Sequence, residues 1–178
     1  GVGPGTYSVT YTYDNGGGCV QTDSMEIEVG FSCELTNVAA LGTALQSSTY
    51  GDGSAFFAID GNQEGTTASY NKADLQHTER EDYPWWELDL GSDYLLENLV
   101  IYNRSDSNQS RLQNFYVFVS QSPFPDGSSL EELRDNGEVT EYYFGGAAGA
   151  QEVIPLNSEG RYVRIELSGN GILHMAEV

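Results

Sequence analysis

Asn103-Arg104-Ser105-Asp106, followed by Arg111, places two guanidiniums and a carboxylate within nine residues, at the end of an apolar run. The chain has only seven Lys and Arg, so finding two of them here is informative. Arginine presents its N–H donors in a rigid fork that spans two neighbouring hydroxyls. Asp106 can hold those guanidiniums in place. The other reading of the cluster is a surface ion pair. His77 stands in a long loop, after Asp74 and before Thr78. A neutral imidazole there either makes one hydrogen bond to a ligand hydroxyl or simply meets solvent.

Asp60-Gly61-Asn62-Gln63-Glu64-Gly65 alternates oxygen-bearing side chains and ends in glycine. Calcium takes several oxygens from a tight loop, backbone carbonyls included. The spacing is that of the start of an EF-hand loop, but position twelve is Asn71 rather than Glu, and no flanking helices are predicted. Asp-Gly-Asn is also a common turn. Glu79, Glu81 and Asp82 follow His77 closely and read most simply as a solvated acidic run.

The elements that position these residues read as all-β. Short apolar runs bounded by Gly, Asn, Asp and Ser recur, and no window carries a sustained helical stripe. Strands are predicted near 55–59, 85–90, 95–102, 115–120, 139–144, 152–156, 162–167 and 172–178, which suggests a jelly-roll β-sandwich. One short helix is predicted at 128–134, with Ser129 as its N-cap and Glu131 and Glu132 in its first turn. The stretch from Gly61 to Pro84 has little regular pattern, and a structureless loop of that length is usually functional. His174 alternates with apolar residues on the last strand and reads as structural. Of Trp85 and Trp86, at least one is expected in the core, although either can stack on a sugar.

Ahead of this domain, Tyr7, Val9, Tyr11 and Tyr13 alternate with polar residues, as do Met25, Ile27 and Val29. With the Asn15–Gly18 turn between them, they predict a β-hairpin. The hairpin resembles the last two strands of the immunoglobulin-like or PKD-like repeats of long bacterial surface proteins. The expected division is therefore 1–33, a fragment of such a repeat, and 34–178, the main domain. Cys19 and Cys33 have no third thiol to pair with, and a disulfide between them requires an oxidising compartment.

The net charge of −20 disfavours nucleic acid and anionic membranes as partners. No run is long enough to span a membrane as a helix. The chain opens mid-pattern at Gly1 and stops abruptly at Val178. The expectation is a piece of a longer secreted, cell-surface protein.

From Asn37 to Val178 the chain resembles the F-type lectins, the fucolectin branch of the discoidin-like jelly rolls. The resemblance rests on Asn37-Val38-Ala39, Gln46-Ser47-Ser48, Ala58-Ile59-Asp60-Gly61-Asn62, His77-Thr78, Pro84 to Gly91, Asn103 to Asp106, Arg111-Leu112 and Gly160 to Val163. The family's sugar motif is a loop His, then Arg-x-Asp, four residues and a second basic residue. Here it reads His77, Arg104, Asp106 and Arg111. The resemblance implies that His77, Arg104 and Arg111 donate to the ring oxygen and hydroxyls of L-fucose while Asp106 orients the arginines. It also implies a structural Ca2+ held by the side chains of Asp60, Asn62, Asp74 and Glu177, with the carbonyls of Phe57, Asp74 and Ala176. Such an ion would tie the 61–84 loop to the last strand and so position His77. Tyr70 and Tyr50 are candidates for the wall that meets the fucose methyl.

This chain departs from the pattern at Ser107 and Asn108, where many members carry adjacent cysteines. The expected function is a calcium-stabilised module that binds fucosylated glycans and serves adhesion or glycan targeting, not an enzyme. Two alternatives are a discoidin-like domain that has lost sugar binding and a targeting arm of a larger glycan-degrading enzyme.

Overall fold

A computed structural model describes residues 5–14, 16–17, 20–29, 35–66 and 75–178. Cys19, Cys33, Tyr70 and Asp74 lie outside the described residues. The chain divides into two compact units, Gly1–Thr36 and Asn37–Val178.

In the first unit, β1 (Gly5–Asp14) pairs antiparallel with β2 (Val20–Val29), in register from Gly5↔Val29 to Asp14↔Val20. Its alternating residues Val9, Tyr11, Tyr13, Met25 and Ile27 are exposed.

The second unit is a β-sandwich built on a five-stranded antiparallel sheet. In chain order its strands are β3 (Thr43–Gln46), β6 (Trp85–Tyr102), β7 (Gln113–Ser120), β8 (Thr140–Ala147) and β9 (Gln151–Leu167), and across the sheet they run β3-β6-β9-β7-β8. Between β3 and β6 lie β4 (Gln76–His77) and β5 (Glu81–Asp82), and after β9 come β10 (Asn170–Gly171) and β11 (His174–Met175). These four form two short ribbons, β5 with β10 and β4 with β11.

Alternation decides which side chains enter the core. Trp86, Leu88 and Leu90 are buried on β6 while Trp85, Glu87 and Asp89 face outward. Trp86 is fully enclosed, and its indole N–H donates to the Ala55 carbonyl at 2.9 Å. Residues 162–167 of β9 are buried on both faces, because β6 and β7 flank them and a core lies on each side. The larger core takes Trp86, Phe115, Ile165 and Met175. The smaller gathers Phe118, Phe124 and Tyr162 around Leu133 of helix α1 (Leu130–Asp135). The N-cap predicted at Ser129 is present, and Glu132 completes a capping box with it.

Several expectations are corrected. Residues Ala55–Ala58 form a 3-10 helix rather than a strand, started by the Ser54 hydroxyl accepting from the Phe56 N–H. The runs at 85–90 and 95–102 are one bulged strand, and those at 152–156 and 162–167 are another. The turn-like residues between them sit in register shifts instead of ending the strand. The predicted last strand shortens to β11 plus an isolated bridge between Tyr102 and Glu177. The 61–84 stretch contains two short strands, and Leu75, Gln76, His77 and Thr78 within it are buried.

Candidate functional site

His77 reaches its place through backbone pairing. It sits opposite His174 across the β4–β11 ribbon, and the two rings stack with centroids 5.5 Å apart. Its own N–H donates to the Gly53 carbonyl at 3.1 Å, and the Tyr50 N–H donates to the His77 carbonyl at 3.0 Å. Gly53 must be glycine: a Cβ there would lie 2.6 Å from the Cβ of His77. The 50–53 turn therefore braces His77 from one side and His174 from the other. Thr78 locks the segment further, donating its N–H to the Leu173 carbonyl and accepting the Leu173 N–H on its hydroxyl, both at 2.9 Å.

The tautomer of His77 follows from one contact. Its Nδ1 lies 2.8 Å from the Thr78 carbonyl, which can only accept, so Nδ1 carries the proton. Burial holds the ring below the usual imidazole range, and the charges of Arg111 and Arg104 push the same way, against the opposing effect of the Thr78 bond. The neutral ring then offers Nε2 as an acceptor. The resemblance implied a donor at His77, whereas in this tautomer the free ring nitrogen is an acceptor.

The arginine loop is organised by Asn103, to which the sequence reading gave no role of its own. Its buried carboxamide donates to the carbonyls of Gln109, Ala148 and Gly149, and its Oδ1 accepts the Arg104 N–H at 2.8 Å. Arg104 is gripped by Asp106 through both carboxylate oxygens, Nε to one and Nη2 to the other. Its side chain is 11% exposed. Asn108, in the left-handed region at φ 60°, starts the 3-10 turn Gln109–Arg111 that carries Arg111. Burial and the neighbouring charges of Arg104 and Arg80 lower the proton affinity of Arg111.

These groups share one electrostatic neighbourhood. His174 is enclosed, and its imidazole is pushed down to about 3, by burial first and then by His77, Arg104 and Arg111. Asp106 acts on the same ring in the opposite sense. Tyr50 lays an exposed ring beside His77, with centroids 5.0 Å apart at 37°.

Of the proposed calcium ligands, Asp60, Asn62 and Glu177 are brought together. Both Glu177 oxygens accept the Gly61 N–H, at 3.1 and 3.2 Å. Asp60 and Asn62 each close an Asx turn, onto the N–H of Asn62 and of Glu64. Burial pushes the Glu177 carboxyl up, and the nearby Asp60 charge adds to it. Two carboxylates held close in a partly buried site suit a hard cation. The 176–178 end is fixed beside them: the Ala176 N–H donates to the Tyr102 carbonyl and the Val178 N–H to the Ala58 carbonyl, each at 2.8 Å. Among the described residues, no group of three His, Cys, Asp or Glu completes a metal cluster.

Gly65 joins the two loops. A Cβ on it would lie 2.4 Å from the Asn103 carbonyl oxygen and 2.7 Å from the Arg104 Cα, and the Ser105 N–H donates to its carbonyl at 2.7 Å. No sequence pattern marks Gly65 for this role, because it exists only where two loops meet. Of the acids after His77, Glu79 is exposed, while Glu81 accepts from the Ser47 and Ser48 hydroxyls and Asp82 accepts from Asn170.

Residues 57–165, more than half of the chain, match the family described as NedA-like, galactose-binding domain. Fucolectin-2 of Anguilla japonica is 30% identical over 166 residues, covering 89% of this chain and 85% of that protein. The pentraxin fusion protein of Xenopus laevis is 34% identical over 135 residues, which are 74% of this chain but 30% of that longer protein. A structure of a Streptococcus pneumoniae fucose binding module, SpX-3, superposes with a TM-score of 0.66 at 33% identity, over 80% of this chain and 95% of that one. On sequence and fold together, the chain belongs to the fucolectin, or F-type lectin, family of galactose-binding-like domains.

Proposed function

We propose that the 37–178 unit binds L-fucose at the ends of glycans. One observation carries the reading: Asp106 holds the Arg104 fork while backbone pairing fixes His77, with the exposed Tyr50 ring 5.0 Å from it, and the charges of Arg104 and Arg111 lie close enough to lower the proton affinity of His77. A sugar hydroxyl both donates and accepts. It can donate a hydrogen bond to Nε2 of His77 while accepting one from a guanidinium. The ring oxygen only accepts, and an arginine supplies its donor. Asp106 fixes the Arg104 fork before sugar arrives, so less freedom is lost on binding. The fucose-binding relatives support the same ligand.

Ca2+ in this reading is structural. Asp60, Asn62 and Glu177 would hold it, with Asp74 and the carbonyls of Phe57, Asp74 and Ala176. Its charge would offset the repulsion between Asp60 and Glu177, and through Gly65 it would steady the arginine loop. The module would act by binding and not by catalysis, in a secreted or surface protein. Useful avidity for a single-sugar site would come from repetition or from the larger parent chain.

Titration calorimetry with L-fucose, beside Arg104→Ala, tests the proposal. Losing a charged donor costs about 1.5–3 kcal/mol, roughly ten-fold to more than a hundred-fold in affinity. Absence of fucose binding by the parent chain, or equal binding by the variant, would refute it.

A further inference from the structure

The chain has 27 Asp and Glu against seven Lys and Arg, so an arginine without a carboxylate partner is unusual. Among the described residues, Arg104, Arg134, Arg161 and Arg164 are ion-paired. Arg80 and Arg111 have no such partner there. Both line one open groove of about 300 Å³, together with Ser110, Gln113, Asn114 and the 167–172 segment. Among the described residues, no carboxylate lines this groove.

Of the acids nearest in sequence to Arg80, Glu79 is exposed and does not line the groove, while Glu81 and Asp82 are held elsewhere. Glu81 takes the Ser47 and Ser48 hydroxyls at 2.6 and 2.5 Å, and Asp82 takes the Asn170 carboxamide at 2.8 Å. The wall of the groove is fixed by the Ser168 N–H donating to the Asn114 carbonyl at 2.9 Å and by the β5–β10 pairing. The Oδ1 of Asn114 is occupied by the Gly146 N–H at 2.8 Å, which leaves its amide N–H groups as the polar end still to be satisfied. The lining is thus rich in donors and built around two like charges that lack a counterion.

We propose that this groove is an anion subsite next to the fucose pocket, and that it takes the sulfate ester or uronate carboxylate of the sugar adjoining the fucose. The inference rests on the fucose reading, because Arg111 lies between the two sites. Guanidinium forks match the paired oxygens of either group. The net charge of −20 repels an anion at a distance, but at physiological ionic strength screening confines that field to about 8 Å, so the local cations dominate at contact. Arg80 adds to the unfavourable potential at Arg111, which an anion between them would relieve.

The test uses three fucosyl-galactose disaccharides: neutral, sulfated on the galactose, and with galacturonate in its place. Calorimetry at low salt is expected to show one acidic form binding about ten-fold tighter than the neutral one, and which form wins identifies the source of the anion. Arg80→Gln should abolish that preference and leave the neutral affinity unchanged. Added salt should erode the preference. Equal affinities, weaker binding of both acidic forms, or loss of neutral binding in Arg80→Gln would overturn the proposal. If no fucoside binds, the fucose reading fails instead. The groove is then judged by galactose sulfate and galacturonate without fucose: amide NMR shifts at 168–171 that vanish in Arg80→Gln sustain the subsite, and their absence removes it.

Discussion

Acid should weaken the second unit through His174 well before its ordinary carboxylates protonate. The His174 ring is fully enclosed against His77, and burial depresses its proton affinity to about 3 in the folded state. In the unfolded chain the same imidazole titrates near 6.5, so below that pH the unfolded state holds the extra proton. Stability is therefore complete above pH 6.5, falls on acidification, and stops falling from this cause near pH 3, where the folded ring protonates too. Between pH 7 and pH 5 the loss amounts to about 2 kcal/mol from this one group. His77 is shifted in the same direction and adds to it.

The assay is urea unfolding at pH 7, 6 and 5, followed by tryptophan fluorescence. Trp85 and Trp86 both belong to the second unit, so the signal reports that unit. His174→Leu removes the proton-linked contribution while filling the same apolar site. The stability difference between parent and variant should shift by about 2 kcal/mol across that range in the variant's favour. Parallel pH dependences, or an NMR titration placing the folded His174 near 6.5, would refute the reasoning.

Removing calcium with a chelator should lower the unfolding midpoint of the second unit, and re-adding it should restore the midpoint. At a hundred times its dissociation constant the ion contributes about 2.7 kcal/mol, and Glu177→Gln should abolish the response in a thermal melt. Gly65→Ala forces a methyl against backbone at 2.4 Å. It should cost about 2 kcal/mol in urea unfolding and weaken fucose binding, because Arg104 shifts with it. Trp86→Ala empties the core beneath β6 and should destabilise by about 3–5 kcal/mol in the same assay.

Part of the candidate site was legible because it is marked by a rare residue type. Arg104 and Arg111 stand out in a chain poor in basic residues, and the geometry pairs the first of them with Asp106 through both carboxylate oxygens. The strand expected at 85–90 and a core tryptophan at its start are both present in β6, with Trp86 the buried one, and Ser129 announced helix α1. Strand ends were less legible, because Gly91 and Asn98 look like turns locally yet lie in or beside bulges of one long strand. A turn residue ends a strand only if no partner strand continues past it.

The sequence by itself determined the all-β class, the acidic surface and the residue types of the site, since composition, period and motif spacing are local properties. Only the tertiary structure decided how those residues act. The Thr78 carbonyl makes His77 an acceptor, His174 supports it from beneath, and Gly65 couples the Asp60 loop to Arg104. The unpaired guanidiniums of Arg80 and Arg111 meet in one groove although thirty-one residues separate them. Each of these depends on distances between segments far apart in the chain, and such distances are set by how the sheets and loops close on one another.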